Sequence, residues 1–206
     1  MPEILYSDDN LIFVKKPVGV SSENELPKMI KEKTKSDVFP VHRLDVPVSG
    51  IIVYAKSKEY AALLCKKIAT GEDFQKTYLA VVEGDFFEKE GEFSDLLFKD
   101  KAKNKSYVVK RERKGVRNAR LTYQVLETTI YNNKILNLVK INLETGRSHQ
   151  IRVQFASRKH FLAGDGKYGS KINCPLALFS ANIKTMGFDI FSKPENVFPW
   201  NLFKNI

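Results

Sequence analysis

Cysteine and histidine are scarce in this chain. Its 206 residues include two cysteines, Cys65 and Cys174, and no CxxC pair. This argues against a disulfide framework and against a structural zinc site. The three histidines, at positions 42, 149 and 160, show neither HExxH nor HxxxH spacing, so a metal site is not expected. The composition favours a reducing, cytoplasmic setting.

Long apolar runs and repeats are also missing. No apolar run approaches the ~20 residues of a membrane-spanning helix, and the first residues lack the basic and apolar regions of a signal peptide. Hydrophobic residues make up 43% of the chain, which is ordinary for a globular core. We therefore expect one domain over residues 1–206, without membrane association.

Positive charge is plentiful and concentrated in one stretch. The formal net charge is +10, and residues 99–120 carry ten basic against two acidic side chains, a local charge of +8. The other residues nearly balance, with 24 basic and 22 acidic. Such a stretch is typical either of an arm that contacts RNA phosphates or of a lysine-rich hairpin that serves solubility. Both interpretations stay open from the sequence.

Periodicity and turn residues predict an alternation of short strands and helices. The i, i+3, i+4, i+7 spacing of one helix places Cys65 in the core, and Ser57 and Gly71 are expected to cap that helix. Another helix is expected to begin after Ser148. The predicted elements are strands at 4–6, 11–14, 74–82, 119–127, 135–143 and 180–190, and helices at 24–34, 58–70 and 149–157.

Two motifs of other enzyme classes can be set aside. Gly164–Gly169 matches GxGxxG, and Asp189 lies 20 residues beyond it. The strand–turn–helix context of a dinucleotide site is missing, because Pro175 would interrupt the helix. We expect these glycines to shape a turn, with no nucleotide cofactor. No GxSxG surrounds Ser49, so it is not expected to be a hydrolase nucleophile.

Residues 42–50 are the best candidate for a reactive loop. Arg43 and Asp45 stand on a short turn containing Pro47 and Gly50, followed by the apolar segment 51–55. Polar residues on a turn beside a rigid strand are a common way to present a reactive group. Side chains two positions apart on an extended segment point to the same side. Taken alone, the pair would also fit a surface salt bridge.

Four blocks, in order, resemble the RluA-type pseudouridine synthases, and together they cover most of the chain. Val48 stands where the family usually has threonine, and Ser148 stands where the family often has threonine. Because the first block starts at Asp9, we expect no S4-like domain before it. The blocks are DNLIFVKKPVG at 9–19, HRLDVPVSG at 42–50, KTY at 76–78 with Gly84, and LETGRSHQIR at 143–152 with Gly164-Asp165 and Tyr168-Gly169.

The resemblance implies an α+β fold, with a mixed, mainly antiparallel bent sheet forming two lobes around a central catalytic cleft. It also implies isomerisation of uridine to pseudouridine in structured tRNA or rRNA. That reaction breaks the N1–C1′ bond and rejoins the base through C5, with no redox change, so no cofactor is expected. The expected partner is an RNA stem-loop, and the protein is expected to be a monomer.

The resemblance also assigns roles to residues. Asp45 is expected to be the catalytic carboxylate, which either attacks C1′ or removes the C2′ proton. Arg147 is expected to keep it ionised, because arginine stays charged when buried. Tyr78 is expected to pack against the uracil. The residues expected to bind substrate or RNA are Arg43, His42, Lys76 and Ile151. Arg43 is expected to stack in the place that the uracil leaves when its nucleotide flips out of the RNA. His42 is expected to be neutral.

Two other classes of function remain as alternatives. A non-catalytic RNA-binding protein could keep this fold and use the basic stretch, although it would have no need of a carboxylate at Asp45. A nucleoside-cleaving glycosidase would need a second carboxylate near Asp45, for which Glu144 and Asp165 are the candidates.

Overall fold

The computed structural model describes residues 2–86 and 88–206. In these ranges it has eleven strands, three α-helices and a short 3₁₀ turn at Trp200–Leu202. The strands are β1 (Glu3–Ser7), β2 (Leu11–Lys16), β3 (Phe39–Pro40), β4 (Ser49–Ala55), β5 (Phe74–Glu83), β6 (Glu90–Asp100), β7 (Lys105–Val109), β8 (Val116–Tyr131), β9 (Lys134–Leu143), β10 (Leu178–Thr185) and β11 (Phe188–Phe191). The helices are α1 (Glu25–Thr34), α2 (Lys58–Thr70) and α3 (Gln150–Ser157).

The fold is α+β with mostly antiparallel strand pairing, which confirms the expected fold class. The chain divides into two compact units. Unit 1 contains the residues up to Lys76 together with Phe179–Pro194, and unit 2 contains Thr77–Leu178 and Glu195–Ile206. None of the helices in the described ranges combines the length and apolar character that crossing a membrane requires.

Strand β4 is the centre of unit 1. It pairs antiparallel with β2, from Lys16 opposite Gly50 to Leu11 opposite Ala55, and parallel with β10 at Ser49 and Gly50. Strand β1 extends the sheet beyond β2, and β11 extends it beyond β10. Residues 51–55 are fully buried, because the sheet is covered where this apolar run crosses it. The strand that follows the Asp45 loop is therefore a rigid support.

Helix α2 packs against this sheet and has the predicted ends. The Ser57 hydroxyl accepts from the Tyr60 amide at its start, and Gly71 closes it in a left-handed conformation. Leu64 is fully buried in the core of unit 1. Cys65 is exposed, so its predicted place in the core is wrong. One residue along the helix places Cys65 about 100° around the axis from Leu64, past the edge of the buried stripe.

The sheet of unit 2 has the strand order β5-β9-β8-β6-β7. Strands β8 and β9 form the predicted hairpin, turning at Asn132 and Asn133, both with positive φ, as short hairpin turns require. Strand β8 is longer than predicted and pairs with β6 on its other side. The basic stretch runs from the end of β6 through β7 into the start of β8. Strands β6 and β7 pair antiparallel from Leu96 opposite Val109 to Asp100 opposite Lys105.

Two predictions about the last third of the chain are wrong in detail. Helix α3 is present, but His149 occupies its N-cap with φ 54°, and Ser148 is not the cap. The predicted strand at 180–190 is a hairpin of β10 and β11, because Met186 and Gly187 both take positive φ and reverse the chain. A hydrophobic pattern alone does not show such a reversal.

Candidate active site

Asp45 lies in unit 1, on the loop between β3 and β4. Its backbone carbonyl accepts from the Val48 amide at 2.9 Å, which closes a tight turn immediately before β4. The side chain is half-buried and interacts with another group of the protein. A carboxylate on a hydrogen-bonded turn that leads into a fully buried strand is held in a fixed position.

Lys16 supports this turn through a hydrogen bond to the Val46 carbonyl. Lys16 was not identified from the sequence as part of the site. It is fully buried, and its Nζ donates to the carbonyls of Pro17, Val20 and Val46 at 2.9, 2.8 and 3.1 Å. Burial lowers the pKa of Lys16 to about 8, an effect opposed by the nearby carboxylates of Asp45 and Glu25. Residue 16 faces the same side of β2 as positions 12 and 14, but residues 11–14 are all apolar and all buried, so the sequence does not mark this face as the covered one.

A second set of contacts fastens the loop to residues 19–22. The Ser22 hydroxyl donates to the Leu44 carbonyl at 3.0 Å and accepts from the Leu44 amide at 3.2 Å. The Tyr54 hydroxyl donates to the Ser22 carbonyl at 2.6 Å, and the Gly19 amide donates to the Val46 carbonyl at 2.9 Å. Residues 19–22, at and just after the end of the N-terminal block that resembles the family, therefore hold residues 44–46 in place.

Gly50 is required where the loop enters the sheet. Its φ is +115°, and a Cβ there would lie 2.3 Å from the Ser180 carbonyl oxygen on β10. Any side chain would separate β4 from β10, because the obstructing atoms are backbone. The close approach of these two strands fixes the C-terminal end of the Asp45 loop.

His42 faces the interior of unit 1. Its Nε2 accepts from the Val53 amide at 3.2 Å, and its ring meets Phe74 edge to face at 5.6 Å. Burial, and secondarily the charge of Lys76, lower the pKa of His42 to about 3, so the ring is neutral as expected. Lys76 is half-buried, and burial lowers its pKa as well. The structure therefore brings His42 and Lys76 into electrostatic contact.

Arg43 is exposed at the surface of the loop. Its guanidinium forms an ion pair with Glu23 at 2.9 Å, and both side chains are more than half exposed. Surface pairs of this kind contribute ~0–1 kcal/mol. The side chain can therefore leave Glu23 at little cost.

Tyr78 and Ile151 both lie in unit 2 and are almost fully buried, at 5% and 3% exposure. Tyr78 occupies β5, as predicted, and its side chain is engaged. Ile151 is in the first turn of α3. Both side chains are rigidly placed, one by a strand and the other by a helix.

Arg147 lies in unit 2 on the loop before α3 and is exposed. Its Nε donates to the Asn118 carbonyl at 2.9 Å. The loop is fixed by Gln150, whose Oε1 accepts from the Arg147 amide at 3.0 Å and from the Thr145 hydroxyl at 2.8 Å. The Arg147 backbone is therefore well ordered, although its side chain is at the surface.

Arg152, five residues further on, is the buried arginine of this segment. It forms a two-point ion pair with Asp165, at 2.7 Å for each nitrogen–oxygen contact, and the side chains are 7% and 1% exposed. The sequence reasoning singled out Arg147 and passed over Arg152. Helical periodicity could not reveal it, because residues 150–155 are all buried and this part of α3 has no exposed face.

Residues 164–169 form a turn, as expected for these glycines. The Asp165 carbonyl accepts from the amides of Tyr168, Gly169 and Ser170 at 3.1 Å. Gly164 has φ +79°, and a Cβ there would lie 2.4 Å from the Pro175 carbonyl oxygen. No helix follows the glycines in this part of the described chain, so the dinucleotide interpretation is excluded.

Comparison with known proteins places the chain in a family. The family model described as RNA pseudouridylate synthase matches residues 10–157. The chain is 30% identical over 185 residues to a tRNA pseudouridine synthase C of Vibrio vulnificus, covering 82% of this chain and 74% of that protein. It is 32% identical over 186 residues to the Haemophilus influenzae protein of the same name, covering 82% and 76%.

The fold agrees with this assignment. The solved structure of human RNA pseudouridylate synthase domain containing 4 superposes with a TM-score of 0.80 at 22% identity, covering 97% of this chain and 91% of that one. The α+β fold is thus shared with an RNA pseudouridylate synthase domain. The chain belongs to the RNA pseudouridylate synthase family.

Proposed function

We propose that this protein converts uridine to pseudouridine in a structured tRNA, with Asp45 as the catalytic carboxylate. The observation that carries the proposal is the anchoring of the Asp45 turn. The buried Lys16, Ser22 and the close approach of Gly50 to β10 hold its backbone on three sides. Preorganisation of this kind is what a reacting group needs.

The reaction requires one ionised carboxylate and a rigid pocket for the detached base. The N1–C1′ bond breaks, the uracil turns, and a bond forms between C5 and C1′; C5 loses its proton and N1 gains one, so the product is an isomer of the substrate. Asp45 either attacks C1′ or removes the C2′ proton; both routes use the same oxygen atoms. No electrons leave the substrate, so Asp45 needs no redox partner.

The remaining residues carry the roles that the resemblance gives them. We infer that Tyr78 packs against the uracil and that Ile151 lines its pocket, which suits their burial. Arg43 is inferred to stack in place of the everted base, because its ion pair with Glu23 is weak and exposed. His42 and Lys76 are proposed to act on RNA through the loop, since Nε2 of His42 accepts from the Val53 amide on β4.

Arg147 is the proposed partner of the Asp45 carboxylate, and its exposure makes Arg152 a second candidate. A guanidinium that keeps a carboxylate ionised in a dry pocket should itself be shielded from water. Of the two, only Arg152 is buried. Replacing Arg147 and Arg152 one at a time and measuring turnover therefore shows which arginine is the partner of the Asp45 carboxylate.

A tRNA substrate is proposed because the relatives cited above are called tRNA pseudouridine synthases. The turn between β6 and β7 supplies the exposed lysines Lys101 and Lys103 for its phosphates. Everting the uridine costs a few kcal/mol and least in loops, which favours a stem-loop target. We further propose that the protein acts as a monomer in the cytoplasm and that residues 1–206 form one catalytic domain.

Asp45→Asn tests the proposal directly. The variant should bind an unmodified tRNA transcript within about tenfold of the wild type, equivalent to ~1.4 kcal/mol, and release no tritium from transcripts carrying 5-tritiated uridine. The amide keeps the size of the side chain and removes the charge that both chemical routes need.

Asp37→Asn is the matched control, since it removes one exposed carboxylate from the same unit. It should bind and react like the wild type. Tritium release by Asp45→Asn at the wild-type rate would remove Asp45 from the mechanism. Tight binding without tritium release by the wild type would instead favour the RNA-binding alternative.

A further inference from the structure

The hydroxyl group of Tyr168 lies at the centre of a buried hydrogen-bond network in unit 2. It accepts from the Ser106 amide at 2.9 Å and lies 2.9 Å from Nδ1 of His149. Its contact with the Ser106 carbonyl is longer, at 3.3 Å. Tyr168, Ser106 and His149 are 8%, 2% and 9% exposed. One phenol thus joins β7 to the residue that begins α3.

Further contacts join the same two regions. The Ser106 hydroxyl donates to the Ser148 carbonyl at 2.6 Å. Lys105 donates to the Lys167 carbonyl at 2.7 Å, and Lys167 donates to the Asn104 carbonyl at 3.1 Å. The hairpin of β6 and β7, residues 96–109, is here called the basic hairpin. Its strand β7 is therefore docked on the turn at 164–169 and on the segment 147–152.

Through His149, the docking of β7 affects the backbone conformation of the segment 147–152. Its φ of 54° is left-handed, a conformation that non-glycine residues take at a cost of ~1–3 kcal/mol. The contact with Tyr168 holds the ring, and the Gln150 amide donates to the Arg147 carbonyl at 3.1 Å on the other side. Without the phenol, His149 could relax and turn the adjoining peptide.

The surroundings keep Tyr168 a neutral hydrogen-bond donor. Burial raises the pKa of Tyr168 to about 12, so the hydroxyl keeps its proton at physiological pH. Its ring also packs against cations: the Arg152 guanidinium and the Lys105 ammonium lie 5.1 and 5.0 Å from the ring centre. A change to phenylalanine keeps these ring contacts and removes only the hydrogen bonds.

We propose that Tyr168 is a positioning residue that couples the basic hairpin to segment 147–152, so that RNA bound on the hairpin sets the backbone geometry of that segment. This inference rests on the proposed function for its consequence in catalysis. The coupling itself is a property of unit 2 and can be measured without turnover.

The first test compares Tyr168→Phe with the wild type on unmodified tRNA transcripts carrying 5-tritiated uridine. With enzyme in excess, the single-turnover rate of tritium release should fall about tenfold. The dissociation constant from filter binding should stay within twofold. Ser106→Ala, which removes the bond to the Ser148 carbonyl, should lower the rate in the same direction. Tyr131→Phe is the control, because Tyr131 lies at the end of β8, outside the basic hairpin, and should behave like the wild type.

The second test measures hydrogen exchange with and without the transcript. In the wild type and in Tyr131→Phe, RNA should slow exchange both in residues 99–109 and in residues 147–152. In Tyr168→Phe, protection should persist in the hairpin and be lost in segment 147–152. This measurement stands even if the wild type releases no tritium, an outcome that would defeat the proposed function and not the coupling.

Three results would overturn the coupling. One is an unchanged rate and unchanged protection in Tyr168→Phe. Another is loss of RNA binding with an unchanged single-turnover rate, which would make the hydroxyl a support of the binding surface alone. The last is a fall in rate fully explained by a lower folded fraction, as measured by thermal unfolding, with protection of segment 147–152 retained.

Discussion

His42 is a family motif residue whose side chain binds the backbone of β4, the strand that follows its loop. The imidazole Nε2 accepts from the Val53 amide in the middle of β4, and the ring lies against Phe74. An acceptor is needed there, and a protonated ring has none to offer. The neutral ring is thus a structural requirement of the strand that carries Asp45.

Acidification should therefore destabilise the protein through His42. Its folded-state pKa of about 3 lies below the ordinary value of 6.5, so between these values the unfolded chain binds more protons. Stability then rises with pH across that window and is lost as the pH falls, by at most ~1.4 kcal/mol per pH unit. Urea unfolding at pH 7, 5.5 and 4.5 should show a smaller loss for His42→Gln than for the wild type. Parallel losses would show that His42 does not carry the effect.

The pair of Arg152 and Asp165 should be a large contributor to the integrity of unit 2. Removing one partner of a buried ion pair leaves an uncompensated charge, at a cost of ~3–5 kcal/mol. Arg152→Ala should therefore lower the free energy of unfolding by that amount in urea titrations. Lys31→Ala, which breaks the exposed pair with Asp37, should change it by less than ~0.5 kcal/mol. Similar midpoints for the two variants would contradict this account.

Arg147→Ala should leave the fold intact, because only its Nε bond to a carbonyl is lost. Turnover of the folded variant then reports its chemical role without ambiguity. If Arg147 keeps the Asp45 carboxylate ionised, tritium release should fall at least ~100-fold, equivalent to ~2.7 kcal/mol, with RNA binding retained. A wild-type rate would transfer the role to Arg152.

Among the elements, β4 depends on a glycine near its start. The parallel pairing of β4 with β10 includes Gly50, where the two backbones approach too closely for a Cβ. The Asp45 turn ends at this point. Separation of the two strands would therefore displace the turn as well.

Gly50→Ala is predicted to lower the free energy of unfolding by more than ~2 kcal/mol, since steric overlap with backbone adds to the strain of positive φ. Gly166→Ala is the matched control, because a Cβ there meets nothing within 4 Å. It should be neutral within ~0.5 kcal/mol. Chemical denaturation of both variants is sufficient, and equal stabilities would show that β10 can move away from Gly50 freely.

Local signals predicted the elements better than they predicted burial. The ends of α2 follow from Ser57 and Gly71 acting on their own neighbours, and the β8–β9 turn follows from two asparagines. The exposure of Cys65 and the burial of Lys16 depend on which elements pack against them, and no local pattern encodes that. The resemblance supplied Asp45, whereas Arg152 needed the contact with Asp165 to be recognised.

Across the chain, positive charge is gathered where the fold offers an outer strand pair. Lys101 and Lys103 are exposed at the turn of the basic hairpin. Other basic groups of the stretch are already engaged: Arg120 pairs with Glu92, and Arg113 lies over the Phe98 ring. Lys110, Arg111, Lys114 and Arg117 are exposed as well, so the turn lysines are one of two exposed groups in the stretch that can meet phosphates.

Salt dependence distinguishes an RNA-contacting hairpin from a lysine-rich surface. If both turn lysines contact phosphates, replacing Lys101 and Lys103 with alanine should weaken tRNA binding and flatten the plot of log affinity against log salt by ~1.4, at ~0.7 per contact on single strands. Lys58 and Lys66, exposed on α2, supply the control with the same loss of charge. Their double replacement should leave the slope within ~0.3 of the wild type. Equal slopes for the two double variants, from filter binding at 50 to 300 mM salt, would mean that the hairpin serves solubility, because a diffuse charge effect does not depend on which lysines are removed.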